Sequence, residues 1–252
     1  MVMPKSRGGF SEPLTHQPVE RLYEYRRGFG MGNSAEFVHF FDDFCNSVTT
    51  NVPTGWTAAV IDTGATVTQL DTDTFPGGVL NFASDGTTEG AAIYLPLMIQ
   101  LNDKEFFMET RVYTEAASDT DIQFGLTVRN ATTNPEDLWT TAATDLIAFG
   151  VLDGDATVTM LCDKNNSGAA ANLGTIDLSS ATWHTLAIHV TGNSADSNMS
   201  VRGYVDGVLA ITWDVETEIP DDLVLSPFIG ARTGGVAANN VYFDYVRFCS
   251  VR

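Results

Sequence analysis

The sequence predicts an all-β sandwich preceded by an extended N-terminal arm, and three observations point there. From residue 37 onward, short apolar runs alternate with Gly, Thr, Asp and Asn turns. No long stretch carries the 3.6-residue periodicity of an amphipathic helix. Near residue 37 the composition changes: the first 40 residues hold five basic against four acidic residues, leaving eight basic against 28 acidic for the rest.

Residues 1–36 read as an arm. Pro4, Pro13 and Pro18 oppose continuous helix, VERLYEYRR is long enough for one short helix, and RRGFGMGNS ends in glycines that behave as a hinge. Alone, such a segment buries too little apolar surface to offset its ordering entropy. Its Arg7, Phe10, Arg21, Tyr23, Tyr25, Arg26, Arg27 and Phe29 are residue types that anchor interfaces, so the arm is expected to dock on a partner.

Residues 37–252 form the predicted sandwich. Its expected strands are FVHFFDDF, GWTAAVI, GGVLNFAS, AAIYLPLMIQL, KEFFMETRVYTE, DIQFGLTVRN, DLIAFGVLD, ATVTMLCDK, WHTLAIHV, SVRGYVDGVLAITWDV, LVLSPFIGAR and NVYFDYVRFC, about a dozen in all. Alternation is clearest where Phe106, Met108, Arg111 and Tyr113 interleave with Glu105, Glu109 and Thr110. It recurs where Val201, Tyr204, Val205, Val208 and Leu209 surround Arg202 and Asp206. Such strands bury one face and wet the other. Asp206-Gly207 reads as a tight turn, because Gly supplies the positive φ that such turns require. NNSGAAANLG reads as a low-complexity loop.

Composition narrows the partners. A formal charge of −19 repels phosphate backbones, so nucleic acid is not an expected partner. The N-terminus lacks the apolar stretch of a cleaved signal, and AAIYLPLMI is too short to span a bilayer, so no membrane partner is expected either. Three widely spaced cysteines, Cys45, Cys162 and Cys249, fit neither a disulfide framework nor a zinc site and read as free thiols made in a reducing cytoplasm.

In the C-terminal third, Trp183-His184-Thr185-Leu186 opens a strand and Tyr204-Val205-Asp206-Gly207 closes the next hairpin. Ile219-Pro220, Phe228-Ile229-Gly230 and Val241-Tyr242-Phe243-Asp244-Tyr245-Val246 follow. This set resembles the concanavalin A-like lectin and glucanase jelly roll, shared by laminin G-like modules. The resemblance is closest over residues 180–250, and strand count extends it back to residue 37. It implies the fold; lectins, glycosidases, adhesion modules and virion proteins share it.

Catalysis by the glucanases of this resemblance would need paired carboxylates. Asp214, Glu216 and Glu218 in WDVETEIP share one face if that segment is extended. They follow the Tyr-Val-Asp-Gly hairpin rather than preceding it, and the trio opens with Asp, so a solvated strand face is the preferred reading and no catalytic residue is assigned. No Gly-x-Ser-x-Gly elbow occurs. His184 and His189, five apart in one strand, point to opposite faces and share no metal.

Calcium enters only through the resemblance. Asp71, Asp73, Asp119, Asp121, Asp153 and Asp155 come in spaced pairs, for which turn formation is the default use and no cofactor is expected. Trp183 and Trp213 are expected in the core. Trp139, in the loop TTNPEDLWTT, is the candidate platform for a glycan.

An acidic jelly roll with a docking arm is similar to the head decoration or cement proteins of tailed bacteriophages. That similarity implies a non-enzymatic protein of the outer capsid surface. Its expected partners are the major capsid protein or other virion subunits, with self-association into a homo-oligomer, a trimer in the simplest case, adding avidity. A carbohydrate-binding module for surface glycans is the alternative, and a β-glucan hydrolase the third reading.

Overall fold

The computed structural model describes residues 37–44, 52–61, 64–70, 78–84, 90–97, 99–101, 105–128, 145–152, 155–165, 170–192, 198–233 and 239–251. Sixteen strands occupy them: β1 (Phe37–Asp42), β2 (Thr57–Ile61), β3 (Thr66–Leu70), β4 (Val79–Ser84), β5 (Gly90–Tyr94), β6 (Ile99–Gln100), β7 (Phe106–Thr114), β8 (Thr120–Thr127), β9 (Leu146–Val151), β10 (Thr157–Asp163), β11 (Ala170–Asp177), β12 (Thr182–Thr191), β13 (Ser200–Val205), β14 (Val208–Trp213), β15 (Val224–Thr233) and β16 (Asn239–Val251).

They form two eight-stranded antiparallel sheets. The first runs β14-β13-β12-β7-β16-β4-β3, with β1 also on β16; the second runs β11-β10-β9-β8-β15-β5-β2, with β6 on β15. The all-β prediction holds, and the two sheets make a sandwich. Two strands absent from the expected set are present: Thr66–Leu70, and Ala170–Asp177, which begins inside the run that reads as low complexity. Ala and Gly hide the period-two signal there, and pairing with β10 supplies the order that propensity does not. Pro96 splits AAIYLPLMIQL into β5 and β6, because proline cannot donate to the ladder.

The core lies between the sheets. Phe106, Met108 and Val112 of β7 and Leu186, Ile188 and Val190 of β12 belong to one buried cluster with Ile122, Phe124, Phe149 and Met160 of the second sheet. Each such side chain contributes roughly 1.5–3 kcal/mol by leaving water. At Gly203 on β13 an added Cβ would lie 2.6 Å from a ring carbon of Phe149. Glycine at that point lets an aromatic ring of one sheet touch the backbone of the other.

Two local features aim side chains. Asp206 (φ 47°) and Gly207 (φ 84°) both sit in the left-handed region, as the predicted tight turn between β13 and β14 requires. In β16 the pairing with β7 slips between Phe243 and Tyr245. This bulge inserts Asp244, whose carboxylate meets Arg111 at 2.9 Å, and flips the inward set from Val241 and Phe243 to Val246 and Phe248. Within the described residues the body starts with β1, held by Phe40 stacked on Phe248 and by Trp56 Nε1 donating to Asp42 at 2.8 Å.

Candidate functional site

The carboxylate trio does not assemble. β14 ends at Trp213, and Glu216–Glu218 form a single 3-10 turn rather than a strand. Asp214 is exposed and Val215 is 47% exposed, so this segment is a polar loop at the sandwich edge. The condition that would put all three on one face, an extended backbone, is not met.

The tryptophans divide differently from the sequence expectation. Trp213 is 1% exposed and lies in the core, as expected. Trp183 does not: it alternates with inward His184 and Leu186, so it points outward from β12 and is half-buried. There the Arg111 guanidinium lies 4.8 Å from its ring centroid and Tyr113 lies 5.5 Å away. The sequence reading erred because bulk and β-propensity suit either face of a strand, and only register decides between them. Trp139 and the arm residues Arg7, Phe10, Arg21, Tyr23, Tyr25, Arg26, Arg27 and Phe29 lie outside the described residues.

The two histidines of β12 do lie on opposite faces. His184 Nδ1 meets Asp206 Oδ2 at 2.7 Å, and its Nε2 accepts from the Ser179 amide at 3.0 Å. The hydrogen bond to Asp206 raises the His184 pKa above its ordinary value, against the opposing effect of burial. Asp206 also accepts from the Thr185 amide at 2.8 Å. Burial pushes its carboxyl up, yet the His184 bond and this amide together hold it below the usual value. On the other face His189 Nε2 meets Glu105 at 2.6 Å.

The outward face of the first sheet departs most from the sequence reading, which took that face to be wet. Glu109 points away from the core between Ala187 and Arg247, yet it is 0% exposed. It receives Arg247 at 2.7 Å and the Tyr245 hydroxyl at 2.5 Å. Burial and the Glu109 charge push the Tyr245 hydroxyl pKa far up. Phe107, Ala187, His189 and Arg247, all outward on the same face, are each under 5% exposed.

The outward face of the second sheet is similar. Asp121, 3% exposed, lies 3.7 Å from Arg232, and beside it Gln123 is 2% exposed. Tyr94, Leu146, Ala148, Leu161 and Phe228 make a second buried apolar cluster there. Period-two alternation identifies these residues as outward, but nothing in a single sequence says that an outward face is covered.

Among the described residues the aspartate pairs form no cation cage. Asp71, Asp73 and Asp153 lie outside the described residues. Asp119 is exposed in a 3-10 turn, Asp121 faces Arg232, and Asp155 accepts from the Thr157 amide at 2.8 Å. Where acids do gather, between Asp145, Asp221 and Asp222, the ammonium of Lys164 supplies the positive charge by bonding Asp221. Among the described residues no group of three or more His, Cys, Asp or Glu is placed to hold a metal.

No family model matches the sequence, and no curated protein matches it. Solved structures do share the fold. The carbohydrate recognition domain of Emp47p is 15% identical, covering 85% of this chain and 97% of that one, with a TM-score of 0.57. An endo-1,3-beta-glucanase from Streptomyces sioyaensis is 13% identical over 86% of this chain and 97% of its own, TM-score 0.56. Lectin UEA-II complexed with galactose is 14% identical over 86% of this chain and 99% of its own, TM-score 0.56. At these identities the likeness is one of fold: the sandwich is of the concanavalin A-like type.

Proposed function

We propose that the chain is a non-enzymatic virion structural protein, a capsid decoration or cement protein whose residues 1–36 fasten it to the major capsid protein or to other virion subunits. The charge division carries this reading: a near-neutral segment with Arg and Tyr anchors precedes a strongly acidic body. The geometry of the body agrees with a scaffold. Four of its carboxylates, Glu109, Asp121, Asp206 and Asp244, are each paired with a basic side chain, whereas glycoside hydrolysis needs one carboxyl protonated and a second ionised across a cleft.

In this reading the arm brings subunits together and stabilises the shell by mass action, and self-association, a trimer in the simplest case, multiplies the contacts. The test is co-sedimentation of the full chain with capsid shells that lack it. Tyr23→Ala, Tyr25→Ala, Arg26→Ala and Arg27→Ala combined should abolish co-sedimentation, and undiminished incorporation would refute the proposal.

A second reading is a carbohydrate-binding module, favoured by the lectins and the carbohydrate recognition domain among the structures that share the fold. It expects affinity for surface glycans on an array and loss of that affinity in Trp139→Ala. A β-glucan hydrolase is the third; reducing-sugar release lost in Glu216→Gln or Glu218→Gln would favour it over both others.

A further inference from the structure

We propose that the outward face of the first sheet, centred on Glu109, Ala187 and Arg247, is the seat on which residues 1–36 of a chain of this sequence lie; this rests on the arm-mediated assembly proposed above and names the surface that the arm uses. Phe107, Glu109, Ala187, His189 and Arg247 point away from the core, yet all are under 5% exposed. Among the described residues the sheet has one partner sheet, and that one packs on its inward face. No strand among the described residues crosses the outward face, so its burial calls for a further cover.

Three facts select the arm. First, 36 residues precede β1, which at extended spacing of about 3.3 Å per residue far exceeds the breadth of a sheet. Second, that segment leads into Phe37, opposite Val251, and two residues on His39 pairs with Cys249, which pairs in turn with Phe107 of the patch. The arm therefore joins the body beside the proposed seat. Third, the arm's Tyr and Phe side chains suit a surface with aromatic rings, and here the outward Tyr113 and Trp183 border the buried patch. Covering a patch with a chain's own arm and lending the arm to a neighbour's identical patch use the same contacts, as in domain swapping.

The experiment is photo-cross-linking in the full chain. Ala187→p-benzoylphenylalanine is made in an isotopically heavy preparation, mixed with light wild-type chain, illuminated and mapped by peptide mass. A second version carries the probe at Tyr204, half-buried across from Ala187 on β13, in case the first does not fold. Cross-links to peptides from residues 1–36 are expected. Links confined to other peptides, to another protein, or absent at both positions overturn the seat. Heavy-to-light links join separate copies and uphold both the seat and self-association through the arm, whereas docking on the capsid is read by the co-sedimentation test above. Heavy-to-heavy links alone, at dilutions where copies exchange freely, uphold the seat and refute arm exchange as the means of assembly.

Discussion

The Tyr245 hydroxyl donates to Glu109 Oε1 at 2.5 Å, from an outward position on a neighbouring strand, while Arg247 binds the same carboxylate at 2.7 Å. Two strands thus share one buried negative charge. A buried ion pair costs desolvation that its own attraction only offsets when geometry and further hydrogen bonds are good, as they are here.

Glu109→Ala leaves the Arg247 guanidinium without its carboxylate and should destabilise the protein by about 3–5 kcal/mol. Glu109→Leu with Arg247→Met should cost less than Glu109→Ala alone, because neither charge is then stranded. Urea unfolding midpoints at constant m-value decide the matter; equal losses in both variants would show that the pair matters only as volume.

Removing Trp213 should cost about 3–5 kcal/mol, the usual range for emptying a large aromatic site in a core. Trp183→Ala should cost about 1 kcal/mol, the scale of one outward cation–π contact with partial burial. Denaturation of the two variants side by side tests the placement of Trp183 against Arg111. Equal losses would return Trp183 to the core.

The His184–Asp206 pair predicts a window of pH. The raised His184 pKa means that its contribution is complete below the ordinary value near 6.5 and is lost as pH rises through the folded value. The lowered Asp206 pKa means that its contribution is complete above the ordinary 3.8 and is lost as pH falls through the folded value. The stability gap between wild type and His184→Gln should therefore be widest between about pH 4 and 6.5, read from urea midpoints across pH 3–9. A flat gap would show that the contact is not electrostatic.

Burial, then the nearby Glu218 and Asp163 charges, pushes the Cys162 thiol well above its ordinary pKa. It should remain unmodified by iodoacetamide at pH 8 in the folded protein and become alkylated once urea unfolds it. Peptide mapping reads the result at that residue; rapid labelling without denaturant would mean that β10 opens locally.

Much of the fold was legible because strand periodicity and turn chemistry are local. The run WHTLAIHV and the Asp206-Gly207 turn are stated by neighbouring residues, and the structure keeps both; of the apolar set around Arg202 and Asp206, Val201 and Val205 face the core, whereas Val208 and Leu209 are exposed just after the turn. The missed strand Ala170–Asp177 has small residues whose order comes from pairing with β10, a partner that lies elsewhere in the chain. The candidate site was less legible. WDVETEIP has the spacing of a one-faced carboxylate trio, but the 3-10 turn at Glu216–Glu218 removes the extended backbone on which that spacing depends.

By itself the sequence determined an all-β chain, an acidic body distinct from its leading segment, and the turns that reverse its strands. These follow from side-chain chemistry and from spacing over a few residues. Only the tertiary structure decided that Trp183 looks outward, that the bulge at Asp244 turns Arg111 into its partner, and that Glu109 is buried against Arg247 and Tyr245. Each of those depends on the register between strands far apart in sequence, where a shift of one residue exchanges the two faces of a sheet.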